Sequence, residues 1–481
     1  MSSNETAADK AGTVHVPDKI ITMKENFAYA AGDMASVFYF KVFSSFLMFF
    51  YTDIIGIEAA IIGTMLWVTR VFDAFTDPMM GVICDRTDTP EGKFRPWLRW
   101  MILPFAVSGV LIFTVPELDD TWTIVYVYAT YSLAMLAYTA INIPYGALMG
   151  VMTPHSAERT VLSSFRFYGS FSANLVVQAT ILYMVAGLGG AEDGSYTQQG
   201  YILTMSIYGI CAGFLFLGTF YGTKERVQPP KGQEMNVKKD LAQLFKNKPW
   251  VSLIFVGIGT VMWIAMRDAA QLYYFKYYVV ADMESAARFT KLMTWYNVLG
   301  SLGTIAGVYF TKHFTDLFRG KKNAFFSLTV LSAILGTGFF LCGPGDILLM
   351  FTIGIGLSII TGPLMPLFWS MIADTADYSE WKFGRRFTGL TFSAGTFSMK
   401  LGWAVGPALA AYSLSYYGYE DNVLQSARTI EGLRLMMSFF PAALAAIAAV
   451  VVLSYGINRK MEVQMEEELL ARKEAEGTVE S

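Results

Sequence analysis

Charge is what this chain has least of. Only 16% of its 481 residues are Asp, Glu, Lys or Arg, against about a quarter in ordinary soluble domains. Histidine is scarcer still: His15, His155 and His313 all fall near predicted loops, which argues against paired-histidine metal or acid–base chemistry. The three cysteines, Cys84, Cys211 and Cys342, lie in or at the ends of apolar runs, show no metal-ligand spacing and cannot all pair; they read as small buried hydrophobes. A net charge of -3 offers nothing to nucleic acid. No cleavable leader is visible, because residues 1–20 are polar and the first apolar run is too long for a signal-peptide core.

What the chain has instead is apolar length. Hydrophobic residues make up 54%, mean hydropathy is +0.41, and Phe alone accounts for 37 residues. A helix needs about 20 mostly apolar residues to cross a bilayer. Twelve such stretches occur, near 27–52, 57–84, 98–116, 121–151, 161–187, 200–222, 249–280, 287–311, 324–342, 346–373, 388–417 and 433–456. The expected class is therefore an all-α membrane protein with twelve transmembrane helices, since lipid offers no partner to an open backbone N–H or C=O.

The loops orient these spans. With the N-terminus taken as cytoplasmic, the loop after span two carries Arg86, Lys93, Arg95 and Arg99, and the central loop carries seven Lys and Arg between Lys224 and Lys248. Lys312, Arg319, Lys321 and Lys322 follow span eight, and Lys382, Arg385 and Arg386 follow span ten. The opposite loops Asp53–Glu58, Pro116–Thr123 and Leu188–Gly200 have none; the exceptions are Lys276, Arg288, Lys291, Arg428 and Arg434 in the second half. This is the positive-inside asymmetry, and it expects both termini on the cytoplasmic face of a bacterial inner membrane. Residues 1–26 form an N-terminal segment, 27–222 a first six-helix bundle, 223–248 a linker, 249–457 a second bundle and 458–481 a Glu-rich tail, expected to be a short exposed helix or disordered. A weak repeat supports the division: Gly81-Val-Ile-Cys-Asp85-Arg86 ends span two and Gly307-Val-Tyr-Phe-Thr-Lys312 ends span eight. Two similar halves with matching basic loops read as the major facilitator architecture.

Ionisable groups inside spans are costly, about 2.5–3.5 kcal/mol each at the bilayer centre on insertion scales, so those retained point to a polar cavity. In span two, Arg70, Asp73 and Asp77 share one helix face. Two carboxylates one turn apart repel unless a cation or a shared proton lies between them. Thr76 adds a hydroxyl, and oxygen ligands suit a hard metal cation such as Na⁺. The alternative is an Arg70–Asp73 structural pair with Asp77 satisfied at a helix end. In span four, Thr139 and Asn142 precede Pro144, which frees a backbone carbonyl as a further ligand; the alternative is a simple proline kink. Asp33 in span one and Arg166 in span five suit sugar hydroxyls, a carboxylate accepting and a guanidinium fork donating, or else form an interhelical salt bridge. Lys400 in span eleven either joins them or neutralises a buried acid. Tyr39, Tyr138, Tyr145 and Trp403 offer flat faces to a sugar ring. Arg267 and Asp268 in span seven line the cavity or pair internally. Asp374, Asp377 and Glu380 at the end of span ten share a side with Arg86, Arg95, Arg385 and Arg386, a set expected to form a cytoplasmic gate.

Several motifs in fixed order carry a resemblance: Tyr51-Thr-Asp53 with Gly56, Arg70-x-x-Asp73-x-x-x-Asp77-Pro-x-x-Gly81, Gly92-Lys-Phe-Arg-Pro-Trp97, Tyr138-Thr-x-x-x-Ile-Pro144, and Asp374-x-x-Asp377-Tyr-x-Glu380-Trp-Lys. From about Tyr29 to Lys460 the chain resembles the glycoside–pentoside–hexuronide:cation symporters, the family of the melibiose permease. The resemblance implies that Asp73 and Asp77 hold the coupling cation, Na⁺ or H⁺, with Thr139 assisting. It implies that Asp33 and Arg166 contact the sugar and that Lys400 sits near both sites. Three positions depart from that permease: Asn142 stands for an aspartate, Gly146 for a tryptophan and Gly32 for a lysine. The Ile-Asn-Ile-Pro-Tyr and Gly384-Arg-Arg-x-Thr-Gly389 forms look more like the pentoside, xyloside and glucuronide branches.

The expected function is sugar:cation symport by alternating access, with no cofactor, no enzymatic activity and no obligatory protein partner. A lysolipid carrier of the same fold is the alternative; it needs an apolar cavity open to the bilayer. A membrane sensor needs a signalling module for which the tail after Asn458 is short, and an enzyme needs a nucleophile or metal triad that the buried acids lack.

Overall fold

The computed structural model describes residues 20–153, 156–191, 195–226, 244–281, 286–384 and 388–475. Within them the only regular structure is helical. The helices run as twelve rods and a tail: α1 (Met23–Ser45, continued by Leu47–Ile54), α2 (Ala59–Arg86), α3 (Arg95–Trp100 and Ile102–Leu111), α4 (Asp120–Met152), α5 (Ser156–Leu188), α6 (Gln198–Gly222), α7 (Lys248–Val280), α8 (Ala286–Tyr309), α9 (Lys321–Leu341), α10 (Ile347–Phe383), α11 (Thr388–Tyr416), α12 (Ala427–Leu453) and α13 (Arg459–Ala475). Seven rods are long and apolar enough to cross a membrane by themselves, eight if the bent α1 counts as one. The others are interrupted, as α3 is, or carry charge, as α2 does with Arg70, Asp73 and Asp77.

Local chemistry fixes the rod ends. Thr22 and Glu25 form a reciprocal capping box at the start of α1. Asn247 caps Trp250 N–H, with Pro249 in the first turn of α7, where a missing N–H costs nothing. Pro78, Pro144 and Pro407 lie inside α2, α4 and α11. The rod α1 bends by 50° after Ser45. It ends in a wide π turn, Phe50–Ile54, and α7 ends the same way over Tyr274–Val280. These two rods open the two halves, so the shared ending is a second trace of the internal repeat.

The halves touch through α2 against α11 and α5 against α8. One apolar core fills the first half from Ile21, Cys84 and Met152 at one end and continues into the second half at the other, joining Phe49 and Phe50 to Tyr273, Phe275 and Phe289. A second core lies within the second half at the opposite end, around Phe325, Met371 and Tyr455. Outward faces are apolar too, with Leu103, Phe214 and Leu348 exposed, as a lipid-facing surface requires. Cys84 and Cys342 are buried as expected, but Cys211 is exposed on the outer face of α6, a correction to the reading of all three as core.

Two boundaries differ from the apolar runs. Rod α10 continues to Phe383 because Asp374 and its neighbours extend the helix beyond its apolar part, and Gly384 stops it in a left-handed conformation (φ 66°). The tail is a docked helix: Met465 and Leu469 are buried, Trp381 Nε1 donates to Glu468 Oε2 at 2.7 Å, and Lys321 reaches Glu462 at 3.5 Å.

Candidate functional site

The ionisable groups inside the rods gather where the halves meet. Asp33 on α1 is 8% exposed and accepts from Arg166 Nε at 3.0 Å and from Ser170 Oγ, both on α5. Close packing sets this pair. A Cβ at Gly32 would stand 2.4 Å from the Tyr145 ring, so only glycine admits that ring beside Asp33. Tyr145 stacks on Tyr29 at 4.8 Å, donates to the Tyr29 carbonyl and lies under the Arg166 guanidinium at 5.5 Å. It is wholly buried, so it is a shelf for Arg166 and presents no free face to a ligand.

On α2, Arg70 donates to Asp73 Oδ2 at 3.3 Å. Asp77 accepts from Thr139 at 3.0 Å and from Lys400 Nζ, which arrives from α11 in the other half. Two acids facing one arginine would leave one acid over; Lys400 takes it. Asp73 Oδ1 remains buried without a partner among the described residues. Thr76 donates to the Asp73 backbone carbonyl and not to a carboxylate. Asn142 is directed elsewhere: its Oδ1 accepts from Ser36 of α1 at 2.7 Å and its Nδ2 donates to the Tyr138 carbonyl. In this conformation neither Asn142 nor Thr76 is seen bonded to the Asp73 or Asp77 carboxylate among the described residues. Trp403, half-buried on α11, meets Phe40 of α1 edge-on at 5.5 Å. Each acid–base pair carries zero net charge, which lowers the cost of holding it away from water.

Among the described residues, the gate members with identified partners bond within their own half. Asp374 pairs with Lys321 of its own half. Arg95 donates to the Phe220 carbonyl and lies 4.9 Å over the Phe220 ring within the first half. Arg86 is exposed at the end of α2. Asp377 and Glu380 follow Asp374 on α10, and Arg385 and Arg386 lie outside the described residues. The halves are linked instead at mid-rod, by Lys400–Asp77 and Asn174–Ser301.

They are joined at the other end, where Asp53 and Lys276, named above only in a motif and as a loop exception, form the hub. Asp53, its side chain fully buried, accepts from Lys276 at 2.7 Å, from Tyr277, from Tyr419 at 2.6 Å and from Thr52 at 2.8 Å. Asn422 Nδ2 donates to its backbone carbonyl at 2.6 Å. Burial, with the Asp53 carboxylate adjacent, pushes the pKa of the Tyr419 hydroxyl up, so it stays a donor. Thr52 meets Tyr273 at 2.7 Å and Tyr196 meets Thr290. One level further in, Asp268 accepts from Lys41 at 2.8 Å, Ser45 at 2.6 Å and Gln271 at 2.9 Å. The signal was available in the Tyr51-Thr-Asp53 motif and in Lys276, an exception to the loop asymmetry.

Two helical halves bonded to each other at one end and meeting over compensated buried charges are the architecture of a membrane carrier of the rocking type. More narrowly, the chain belongs to the family described as MFS/sugar transport protein, whose profile matches residues 28–459. It is 32% identical over 440 residues to the inner membrane symporter YicJ of Escherichia coli (strain K12), covering 91% of this chain and 92% of that one. It is 32% identical over 465 residues to the isoprimeverose transporter of Lactiplantibacillus pentosus, covering 95% and 93%. Among solved structures it is similar in fold to a bacterial homolog of the human lysosomal transporter Spinster in an inward-facing, unoccupied conformation. There the TM-score is 0.65 and the identity 12%, over 92% of this chain and 97% of that one.

Proposed function

We propose that this protein couples the movement of a sugar or glycoside to that of a cation across a bacterial inner membrane. The names of its relatives, a symporter of the inner membrane and a transporter of isoprimeverose, support the class. The described chain starts and stops at the end opposite the Asp53 hub, and the basic loops support a cytoplasmic side for that end. The conformation described is then inward-open. Residues 27–222 and 249–457 are the two moving bodies. Sugar meets Asp33 and Arg166, with Trp403 and Lys400 facing them from the other half. The Asp73–Asp77 pair on α2, with Thr139, receives Na⁺ or H⁺ as co-substrate.

The observation that carries this reading is Lys400 on Asp77. The lysine belongs to one half and the acid to the other. When the halves rock, the pair breaks and Asp77 needs another positive charge. A cation entering from outside supplies it, and the return of Lys400 expels it. Cation and lysine thus alternate at one carboxylate, which ties ion movement to the conformational cycle. In the outward-open state Asp374, Asp377 and Glu380 face Arg86, Arg95 and the Arg385–Arg386 pair as the cytoplasmic closure.

The test is uptake into proteoliposomes of xylosides, galactosides and glucuronides under an imposed Na⁺ gradient at fixed pH, then under a pH gradient without Na⁺. Accumulation in either arm identifies the ion; no accumulation of any glycoside refutes the reading. One observation favours the lipid alternative: a cavity of about 390 Å³ lined mainly by Met79, Met80, Ile83, Leu133 and Leu136 lies between α2, α3 and α4. A lysolipid arm in the same assay decides it.

A further inference from the structure

A second polar cavity, of about 190 Å³, lies between the halves near the sealed end, bounded by α1 and α5 on one side and by α7, α8 and α10 on the other. It has room for on the order of ten water-sized groups. None of the residues assigned above to sugar or cation lines it. Asp33 to Lys41 on α1 and Arg166 to Asn174 on α5 are each eight residues, so the cavity lies about 12 Å along the rods from the Asp33–Arg166 pair.

Its charge is not balanced. Lys41 and Asp268 cancel each other, and Asp268 is saturated by Ser45 and Gln271. Arg267 has no carboxylate within ion-pair distance among the described residues. It donates to the Tyr296 hydroxyl at 3.2 Å and lies 5.4 Å over the Phe339 ring. The pairs at Asp33, Asp73 and Asp77 are all compensated, whereas Arg267 faces this interface without a carboxylate among the described residues.

The wall also holds polar atoms with nothing to bond. Trp263 Nε1, Asn297 Nδ2 and Gln178 Oε1 are buried and lack partners among the described residues. Their residues are 3%, 6% and 4% exposed, and all three line this cavity. Left unpaired, such groups would cost about 1–3 kcal/mol each, so whatever fills the cavity, water or a polar ligand that displaces it, must supply partners. Two of the three are donors, and Arg267 adds a planar fork of further N–H groups. An acceptor-rich ligand fits: a carboxylate, with two oxygens and about four lone-pair directions, beside a hydroxyl for Gln178.

We propose that this cavity is a second ligand subsite in which Arg267 binds the carboxylate of an acidic sugar, with Trp263, Asn297 and Gln178 bonding its remaining oxygens. The inference rests on the transport reading and names one end of its substrate: a molecule with one ring at Asp33–Arg166 and its acid group at Arg267 spans both stations. Asn174 donates to Ser301 across the halves at 3.2 Å, so the subsite exists only while this end is sealed.

The experiment is calorimetric titration of the purified full-length protein with matched disaccharide pairs long enough to reach both stations, glucuronosyl-xylose against glucosyl-xylose and glucuronosyl-galactose against glucosyl-galactose. Arg267→Gln, Arg267→Lys and Asn297→Ala are titrated in parallel, with a melting curve for each. The wild type is expected to prefer the acid of each pair. Arg267→Gln should lower the acid-over-neutral affinity ratio about tenfold to a hundredfold, and Arg267→Lys should restore part of it. No acid preference in the wild type, or an equal loss for both members of a pair in a folded Arg267→Gln, overturns the subsite. The transport reading fails differently: gradient-driven uptake is then absent for neutral and acidic glycosides alike, whatever binds at Arg267.

Discussion

Replacing Asp53 by asparagine tests the account of the sealed end most directly. The carboxylate accepts from Lys276, Tyr277 and Tyr419 of the second half, and its side chain is fully buried. An amide keeps the shape but removes the charge and one acceptor oxygen. Leaving one member of a buried pair uncompensated costs about 3–5 kcal/mol. Lys276 retains the Asn422 side chain at 2.8 Å and the faces of the Phe49 and Tyr277 rings, which places the loss near the lower figure. At about 1.4 kcal/mol per tenfold change, ~3 kcal/mol moves the sealed-to-open equilibrium about a hundredfold. Spin labels at Glu117 and Leu424, exposed loop positions of the two halves at this end, in a background lacking Cys211, report the separation by double electron–electron resonance. Asp53→Asn should shift the distribution to longer distances. An unchanged distribution alongside lost transport would refute the latch and assign Asp53 a role in binding instead.

Asp77→Asn removes the carboxylate that Lys400 and the cation share; concentrative uptake should vanish while downhill exchange of sugar persists, and a variant that still concentrates sugar removes Asp77 from coupling. Gly32→Ala places a methyl group 2.4 Å from the Tyr145 ring, an overpacking worth about 1–3 kcal/mol; a lower Tm is expected, and an unchanged Tm shows that the ring can move aside. Trp381→Phe deletes the N–H that holds Glu468, and limited proteolysis should then remove the α13 tail several-fold faster, whereas an unchanged rate means that Met465 and Leu469 alone dock it.

The rods were legible because lipid imposes a simple rule, about 20 apolar residues per crossing, and because few charges interrupt them. The wide turns ending α1 and α7 were not, since Phe-Tyr-Thr-Asp-Ile and Tyr-Phe-Lys-Tyr-Tyr-Val-Val carry no residue that demands a π turn. The acids and bases within spans were legible as individuals, their partners much less so. Arg70 and Asp73 are three residues apart and visible together, whereas Lys400 and Asp77 are separated by 323 residues. Asn142 shows the limit of spacing arguments. It lies three residues after Thr139 on α4, yet α4 runs between α1 and α2, so Thr139 reaches Asp77 while Asn142 reaches Ser36. The Asp53 hub escaped because a lone acid after a span resembles any loop acid until the tyrosines more than two hundred residues away close on it.

One rod connects all of these stations. Asp33, Lys41, Ser45 and Asp53 succeed one another along α1, and the last three bond α7 of the opposite half. Opening the sealed end must therefore break the Lys41–Asp268 and Asp53–Lys276 pairs together, in surroundings where each charge is costly to leave alone. A ligand can shift that equilibrium only by its difference in affinity between the two states. A molecule held at Asp33 touches one half of this contact set, whereas one that also reaches Arg267 lies beside the Lys41–Asp268 pair. In the proposed subsite an anion binds only while the two halves meet, so its difference in affinity holds this end sealed. The order of the stations along α1 therefore gives occupancy at mid-membrane a physical route to the latch: through the Lys41–Asp268 pair, without any change of fold.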